Sequence, residues 1–190
     1  MKETAISVLT VNPGKVKEIR GALGPLGLKV ESMDIGFVEV QADSLEEVVS
    51  HGFEELLTRC RLERPAMKDD SGLFINVLNG FPGVYSSYVQ RTLTNKGLLR
   101  LMKDEEDRNA SFRTVIGLYI PEEGLNLFRG ECQGTISTEE QGVQGFGYDP
   151  IFVPRGHTRT FAEMTSEEKN AISHRGKAVA QMMSYLERRL

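Results

Sequence analysis

A chain of 190 residues, 39% apolar and 26% charged, is long enough to bury a core and has the balance of a globular protein, which excludes a disordered chain. Its net charge of −4 excludes broad, nonspecific nucleic-acid binding, which needs an excess of Lys and Arg, yet a local basic pocket could still hold a small anion. No apolar run approaches the roughly 20 residues of a membrane span, the start lacks the apolar core of a signal peptide, and Cys60, Cys132 and three scattered histidines follow no zinc spacing.

A cytosolic protein forming one domain over residues 1–190 is therefore expected, with both thiols reduced and largely buried. Thr4 to Thr10 reads as a buried strand, followed by a helix over 15–23 with Val16, Ile19 and Leu23 on one face. Ser44 is a plausible N-cap for a helix over 45–62, whose stripe of Leu45, Val48, Val49, Phe53, Leu56, Leu57 and Cys60 is core. Ala66 to Lys68 is expected as a short strand and Leu73 to Leu78 as a second apolar stretch before the turn at 79–83. A helix is predicted over about 86–102, then a β-rich meander over 110–138 turning at Pro121 to Gly124. Gly142 to Pro150, with three glycines and a proline, marks a structured loop before a strand at 151–153. Thr165 and Glu168 form a capping box, and Val179, Met182, Met183, Leu186 and Leu190 face the core from the last helix.

Four stretches carry residues that packing does not require. In Thr10-Val11-Asn12-Pro13-Gly14-Lys15 a strand, a turn and a helix N-terminus gather backbone N–H groups and an ammonium around one point, an anion site. It is not a P-loop, since Val16 follows Lys15 and no earlier glycine precedes the turn; a solvated βα-turn lysine is the plainer alternative. Asp69-Asp70-Ser71-Gly72 offers hard oxygen ligands of the kind Mg²⁺ takes, or else an Asx-type turn. Glu39, between Val38 and Val40, is a third acid that could simply be the solvent-facing residue of a strand. In Phe146-Gly147-Tyr148-Asp149 an aromatic ring beside glycines can stack on a base. Lys169 and His174-Arg175 supply donors; arginine, which only donates, favours a 6-oxo purine over adenine, although a solvated polar pair at a helix start is the alternative.

Together these motifs, with Gly80-Phe-Pro-Gly-Val-Tyr85 and Glu168-Lys-Asn-Ala-Ile-Ser-His-Arg175, resemble the inosine/xanthosine triphosphate pyrophosphatases, over nearly the whole chain. Phe37-Val-Glu-Val-Gln41 makes the likeness one to archaeal-type members. The resemblance implies an α/β fold, a long curved mixed sheet flanked by helices, with two lobes about a central cleft, and a homodimer. It implies Asp70 as the catalytic carboxylate, joined by Glu39 around Mg²⁺. It also implies that Thr10, Asn12, Lys15, Ser71 and Lys169 hold the triphosphate and that Phe146 to Asp149 with His174 and Arg175 hold the base. The implied reaction is attack of a metal-oriented water on the phosphate chain of ITP, dITP or XTP, releasing pyrophosphate and the monophosphate.

The chain departs from that pattern at several points. Val11 replaces a usual glycine, residues 41–67 contain no lysine where relatives often carry one on the helix, with His51 near that place, and Ser87 stands where Lys or Arg is common, with Arg91 a turn further on. Fewer ammonium groups imply weaker phosphate binding. Two rivals share these residues: a pyrophosphatase for pyrimidine or modified nucleotides, and a nucleotide-binding regulator without turnover.

Overall fold

The computed structural model describes residues 5–24, 27–34 and 40–188, so Leu190 of the last helix's expected stripe lies outside them. One mixed sheet organises them, in the order β2-β1-β3-β4-β5-β6. β1 (Ala5–Val8) runs parallel to both β2 (Lys29–Ser32) and β3 (Ala66–Ile75). β4 (Asn109–Ile120), β5 (Gly124–Ile136) and β6 (Phe152–Pro154) extend the sheet antiparallel.

Side chains alternate across a strand, so β3 feeds cores on both faces of the sheet. Met67 joins Ile6, Val8, Ile116 and Leu118 beneath α1 (Pro13–Leu23) and α6 (His174–Glu187), which contribute Ile19, Leu23, Val179 and Met182. Ala66 meets Leu45, Val49, Phe53 and Leu56 of α2 (Leu45–Arg59) on the opposite face. A third cluster, built on Leu73, Ile75, Phe112, Phe152 and Phe161, closes the far end with Leu98 and Met102. This is the expected α/β fold with a mixed, curled sheet.

Three local expectations are corrected and a fourth holds. Residues 66–75 form one unbroken strand, because every residue from Ala66 to Ile75 has a partner on β4, so Asp69 to Gly72 is neither a turn nor the gap between two strands. The helix expected over 86–102 is two, α3 (Ser86–Thr92) and α4 (Thr94–Leu101). Thr94 adopts φ of 63°, which no α-helix interior accepts, and Leu93 tucks against Gly97, where a Cβ would lie 2.5 Å from its side chain. Apolar spacing does not report a single reversed dihedral. α2 stops at Arg59, Leu57 of its expected stripe is exposed, and so is Cys60 beyond its end, leaving only Cys132 of the two thiols buried. The capping box on α5 (Ser166–Ile172) is present, with Thr165 and Glu168 exchanging hydrogen bonds.

Candidate active site

The site begins where β1 stops and β3 continues. Leu9 N–H still bonds the Met67 carbonyl at 2.8 Å, the last rung between the two strands. The chain then turns into α1, and the edge of β3 from Lys68 onward faces the helix N-terminus, the crevice at strand ends where open α/β sheets bind ligands. Asn12 caps the helix, its side-chain oxygen accepting from Gly14 N–H at 2.9 Å and Lys15 N–H at 3.3 Å, and Pro13 occupies the first turn, where no N–H is needed. Asn12 N–H in turn donates to Thr10 Oγ1. Lys15 reaches across the gap that β1 has left and donates to the backbone carbonyl of Asp69 at 3.1 Å.

Asp69 and Asp70 lie on opposite faces of β3. Asp69 is completely buried and accepts from Lys15 Nζ at 3.2 Å and Arg175 Nε at 3.1 Å, with Ser71 Oγ at 3.3 Å from the same oxygen. Burial alone would raise its pKa, but Lys15 and Arg175 hold it below the ordinary value. Arg175 also pairs with Glu18 of α1 and donates to Ser71 Oγ at 3.0 Å; burial opposes its charge, and Asp69 and Glu18 more than offset that. Glu18 then bonds Lys169 at 2.8 Å, and Lys169 bonds Asp149 at 2.7 Å. A continuous chain of buried ion pairs thus ties β3, α1, α5, α6 and the 142–150 loop together.

Asp70 has a different environment. It faces a cleft of about 730 Å³ that Thr10, Val11, Lys15, Lys68, Ser87 and Tyr88 also line. One carboxylate oxygen, Oδ2, is buried and has no hydrogen-bond partner among the described residues. Burial is the main reason its pKa is pushed up to about 6; Lys15 counters this, the neighbouring Asp69 adds to it, and Ser71 N–H and Lys68 counter it further. Lys68 shares the Asp70 face, two residues earlier on the strand. It lies against Gly52 of α2, where a Cβ would stand 2.3 Å from the Lys68 ammonium nitrogen. A mid-helix glycine costs about 1 kcal/mol relative to alanine, and here it leaves room for the end of the Lys68 side chain.

Beyond the sheet, the 142–150 loop is shaped by glycines at positive φ, including Gly145 at 73° and Gly147 at 62°. A Cβ on Gly145 would fall 2.1 Å from the Asp149 carboxylate, which instead accepts Phe146 N–H at 2.7 Å. Tyr148 OH donates to the Ser86 carbonyl at 2.9 Å, and Asn95 donates to the Gly147 carbonyl at 3.0 Å, anchoring the loop to α3 and α4. The Phe146 ring sits against Gly14, where a Cβ would come within 2.7 Å, and Lys169 lies 4.9 Å from the ring centre. His174 is buried and stacked on Phe112 at 4.6 Å between centroids. Burial, then the charges of Arg175 and Lys169, push its pKa well below the usual value, so the imidazole is neutral.

The residues singled out from the sequence thus fall into two adjoining groups. Thr10, Val11, Lys15 and Asp70 line the open cleft; Asp149, Lys169, His174 and Arg175 form a buried cluster beside it, with the half-buried Phe146 against Gly14. Ser71 belongs with Arg175, across the strand from Asp70. Glu39 lies outside the described residues. Among the described residues, no group of three or more His, Cys, Asp or Glu side chains is placed to hold a metal. Sequence reasoning missed the parts played by four residues. Glu18 follows Lys15 at the i,i+3 spacing of a shared helix face, a signal that was present. Asp69 as an ion-pair centre, and Lys68 with Gly52, depend on contacts between elements distant in sequence.

A family model described as the Ham1 family matches residues 6–185. A dITP/XTP pyrophosphatase of Pyrococcus horikoshii is 50% identical, the match covering 96% of each chain, and one of Thermococcus kodakarensis is 47% identical over 97% of this chain and 98% of its own. Among solved structures, a HAM1 protein from Coxiella burnetii superposes with a TM-score of 0.84 at 33% identity, over 97% of this chain and 98% of that one. The Staphylococcus aureus Ham1 protein gives 0.83 at 28% identity, over 98% of this chain and all of that one. With the strand order, the capped α1 and the ion-pair chain all falling within the matched residues, this chain belongs to the Ham1 family.

Proposed function

We propose that this protein hydrolyses deaminated purine nucleoside triphosphates, dITP, ITP and XTP, to the nucleoside monophosphate and pyrophosphate. The observation that carries the reading is Asp70: a carboxylate lining an open cleft beside Lys15 and a helix N-terminus, with one buried oxygen that has no partner among the described residues. Relatives at 47–50% identity over nearly the full length bear the name of that activity.

The α1 N-terminus and Lys15 bind the phosphate chain through N–H groups and charge. Lys15 is held in place by Asp69, so its ammonium is positioned before substrate arrives. The Asp70 oxygen, without a partner among the described residues, suits a hard cation, and Asp70 with Glu39 would hold Mg²⁺, which when bound supplies positive charge to phosphate oxygens. With a pKa near 6, Asp70 is ionised at neutral pH yet more basic than an ordinary aspartate, which fits it to accept a hydrogen bond from the attacking water. Phe146 through Asp149, His174 and Arg175 form the base-binding side, and Lys169, held between Glu18 and Asp149, adds a second ammonium for the triphosphate. Three Arg175 N–H groups are committed to Asp69, Glu18 and Ser71, and arginine has five, so two remain to meet a 6-oxo group.

Family likeness also supports a homodimer, and the net charge of −4 supports a small-molecule substrate in place of nucleic acid. No helix among the described residues is long and apolar enough to cross a membrane. The test is steady-state pyrophosphate release with Mg²⁺ across dITP, ITP, XTP, GTP, ATP and the pyrimidine triphosphates. Preference for the pyrimidine set would favour a different substrate class, and binding without release would make the protein a nucleotide-binding regulator.

A further inference from the structure

We infer that Lys68 is a phosphate-binding residue of this cleft, its ammonium placed beside Asp70 by the absence of a side chain at Gly52. The inference rests on the triphosphate reading of the site and names a contact that reading does not contain.

Three observations converge on it. The pleat of β3 puts Lys68 on the same face as Asp70 and away from the Asp69 network, so the charge is delivered to the cleft side of the strand. Lys68 lines the same 730 Å³ cleft as Lys15 and Asp70. The third is steric. Cβ at position 52 would lie 2.3 Å from Lys68 Nζ, 3.2 Å from Cδ and 3.3 Å from Cε, so α2 accommodates the whole outer half of the side chain against its backbone. Glycine is a poor residue for the middle of a 15-residue helix, and here it is buried. An alanine would favour the helix and displace the lysine, a combination expected when a position serves the site at the expense of local stability. Residues 41–67 contain no lysine, so α2 itself offers no ammonium to the cleft. The neighbouring strand provides one instead. Lys68 also favours the ionised form of Asp70, which places the two groups in one electrostatic environment.

A cation so placed acts on an anionic ligand chiefly through charge, and hydrogen bonds to charged groups typically change affinity by about tenfold or more. The experiment is titration of the full chain with inorganic tripolyphosphate at several salt concentrations, for wild type, Lys68→Met, Gly52→Ala and the double variant. Lys68→Met keeps the apolar stem and removes the charge; Gly52→Ala keeps the charge and moves it. Each single variant is expected to weaken binding by about tenfold and to flatten its salt dependence. The double variant is expected to be no weaker than Lys68→Met, because both changes remove one interaction. Gly52→Ala should melt no lower than wild type while binding less tightly, a divergence that loss of structure would not produce.

Wild-type affinity and salt dependence in Lys68→Met would overturn the inference, as would losses from the two single changes that multiply in the double variant. Pyrophosphate release from dITP and XTP by the same wild-type preparation is read separately. A wild type that binds tripolyphosphate through Lys68 and releases no pyrophosphate would end the hydrolase reading and leave the lysine's role standing.

Discussion

Asp69 and Asp70 are adjacent on β3 and do different work: Asp69 is buried between Lys15 and Arg175, whereas Asp70 lines the open cleft. Replacing each by asparagine should therefore have different consequences. Asp69→Asn leaves Arg175 short of its carboxylate in a buried place, a change that typically costs about 3–5 kcal/mol. A fall in the denaturant midpoint without change in slope is the expected result. Activity should be lost as well, since Lys15 and Arg175 are no longer fixed.

Asp70→Asn should abolish pyrophosphate release and leave the fold intact. Because ionising Asp70 is opposed chiefly by burial, the amide should raise the melting temperature of the metal-free protein at pH 7.5. Unaltered kcat would remove Asp70 from the reaction, and a lowered melting temperature would mean its charge is compensated in the fold.

The raised pKa of Asp70 also fixes a pH dependence. Its carboxyl moves from an ordinary value of 3.8 to about 6 on folding, so the native state holds more protons than the unfolded state between those values. Stability from this group is complete below about pH 4 and falls as pH rises to about 6, by an amount on the order of 3 kcal/mol at most. Mg²⁺ binds the ionised form, so added Mg²⁺ should raise the melting temperature more at pH 7.5 than at pH 5. Chelator should remove both that increment and activity. The check is a melting series at both pH values with Mg²⁺ or EDTA, against Asp70→Asn as the variant that should show neither effect.

Gly145→Ala tests the loop on the base-binding side. An L side chain at φ of 73° is strained, and its Cβ would sit 2.1 Å from the Asp149 oxygen that receives Phe146 N–H and pairs with Lys169. KM for dITP should rise while Asp70-dependent chemistry persists, so kcat changes less than KM. Equal effects on both would show that the loop reaches the reacting phosphates.

Much of this was readable from the chain. Strand–turn–helix at 5–23, the α2 stripe and the Thr165–Glu168 box depend on spacing and local capping, which sequence displays directly. What escaped depended on long-range partners. Asp69 to Gly72 has turn-like composition, yet the partners Ile116 to Arg113 hold it extended. The alternation across that strand, once it is known to be continuous, separates two acids that looked like a pair. Lys68 could not be connected with Gly52 from sequence, because nothing local says that α2 crosses β3 at that point.

Base selectivity gives the most demanding test, on Arg175. Its guanidinium is built into the fold through Asp69, Glu18 and Ser71, so Arg175→Ala would mix loss of stability with loss of recognition. Arg175→Lys keeps the positive charge between Asp69 and Glu18 but removes the planar fork and its spare N–H groups. A site that hydrogen-bonds a substrate group discriminates strongly against an analogue that leaves its buried donors unpaired, by several powers of ten. If the spare Arg175 N–H groups read the 6-oxo position, the lysine variant should remain folded, lose most of its kcat/KM for dITP, and narrow the ratio of dITP to dATP. A variant with an unchanged ratio, however slow, would assign base discrimination to other groups in the cluster and leave Arg175 as the member that holds Asp69 and Glu18 together.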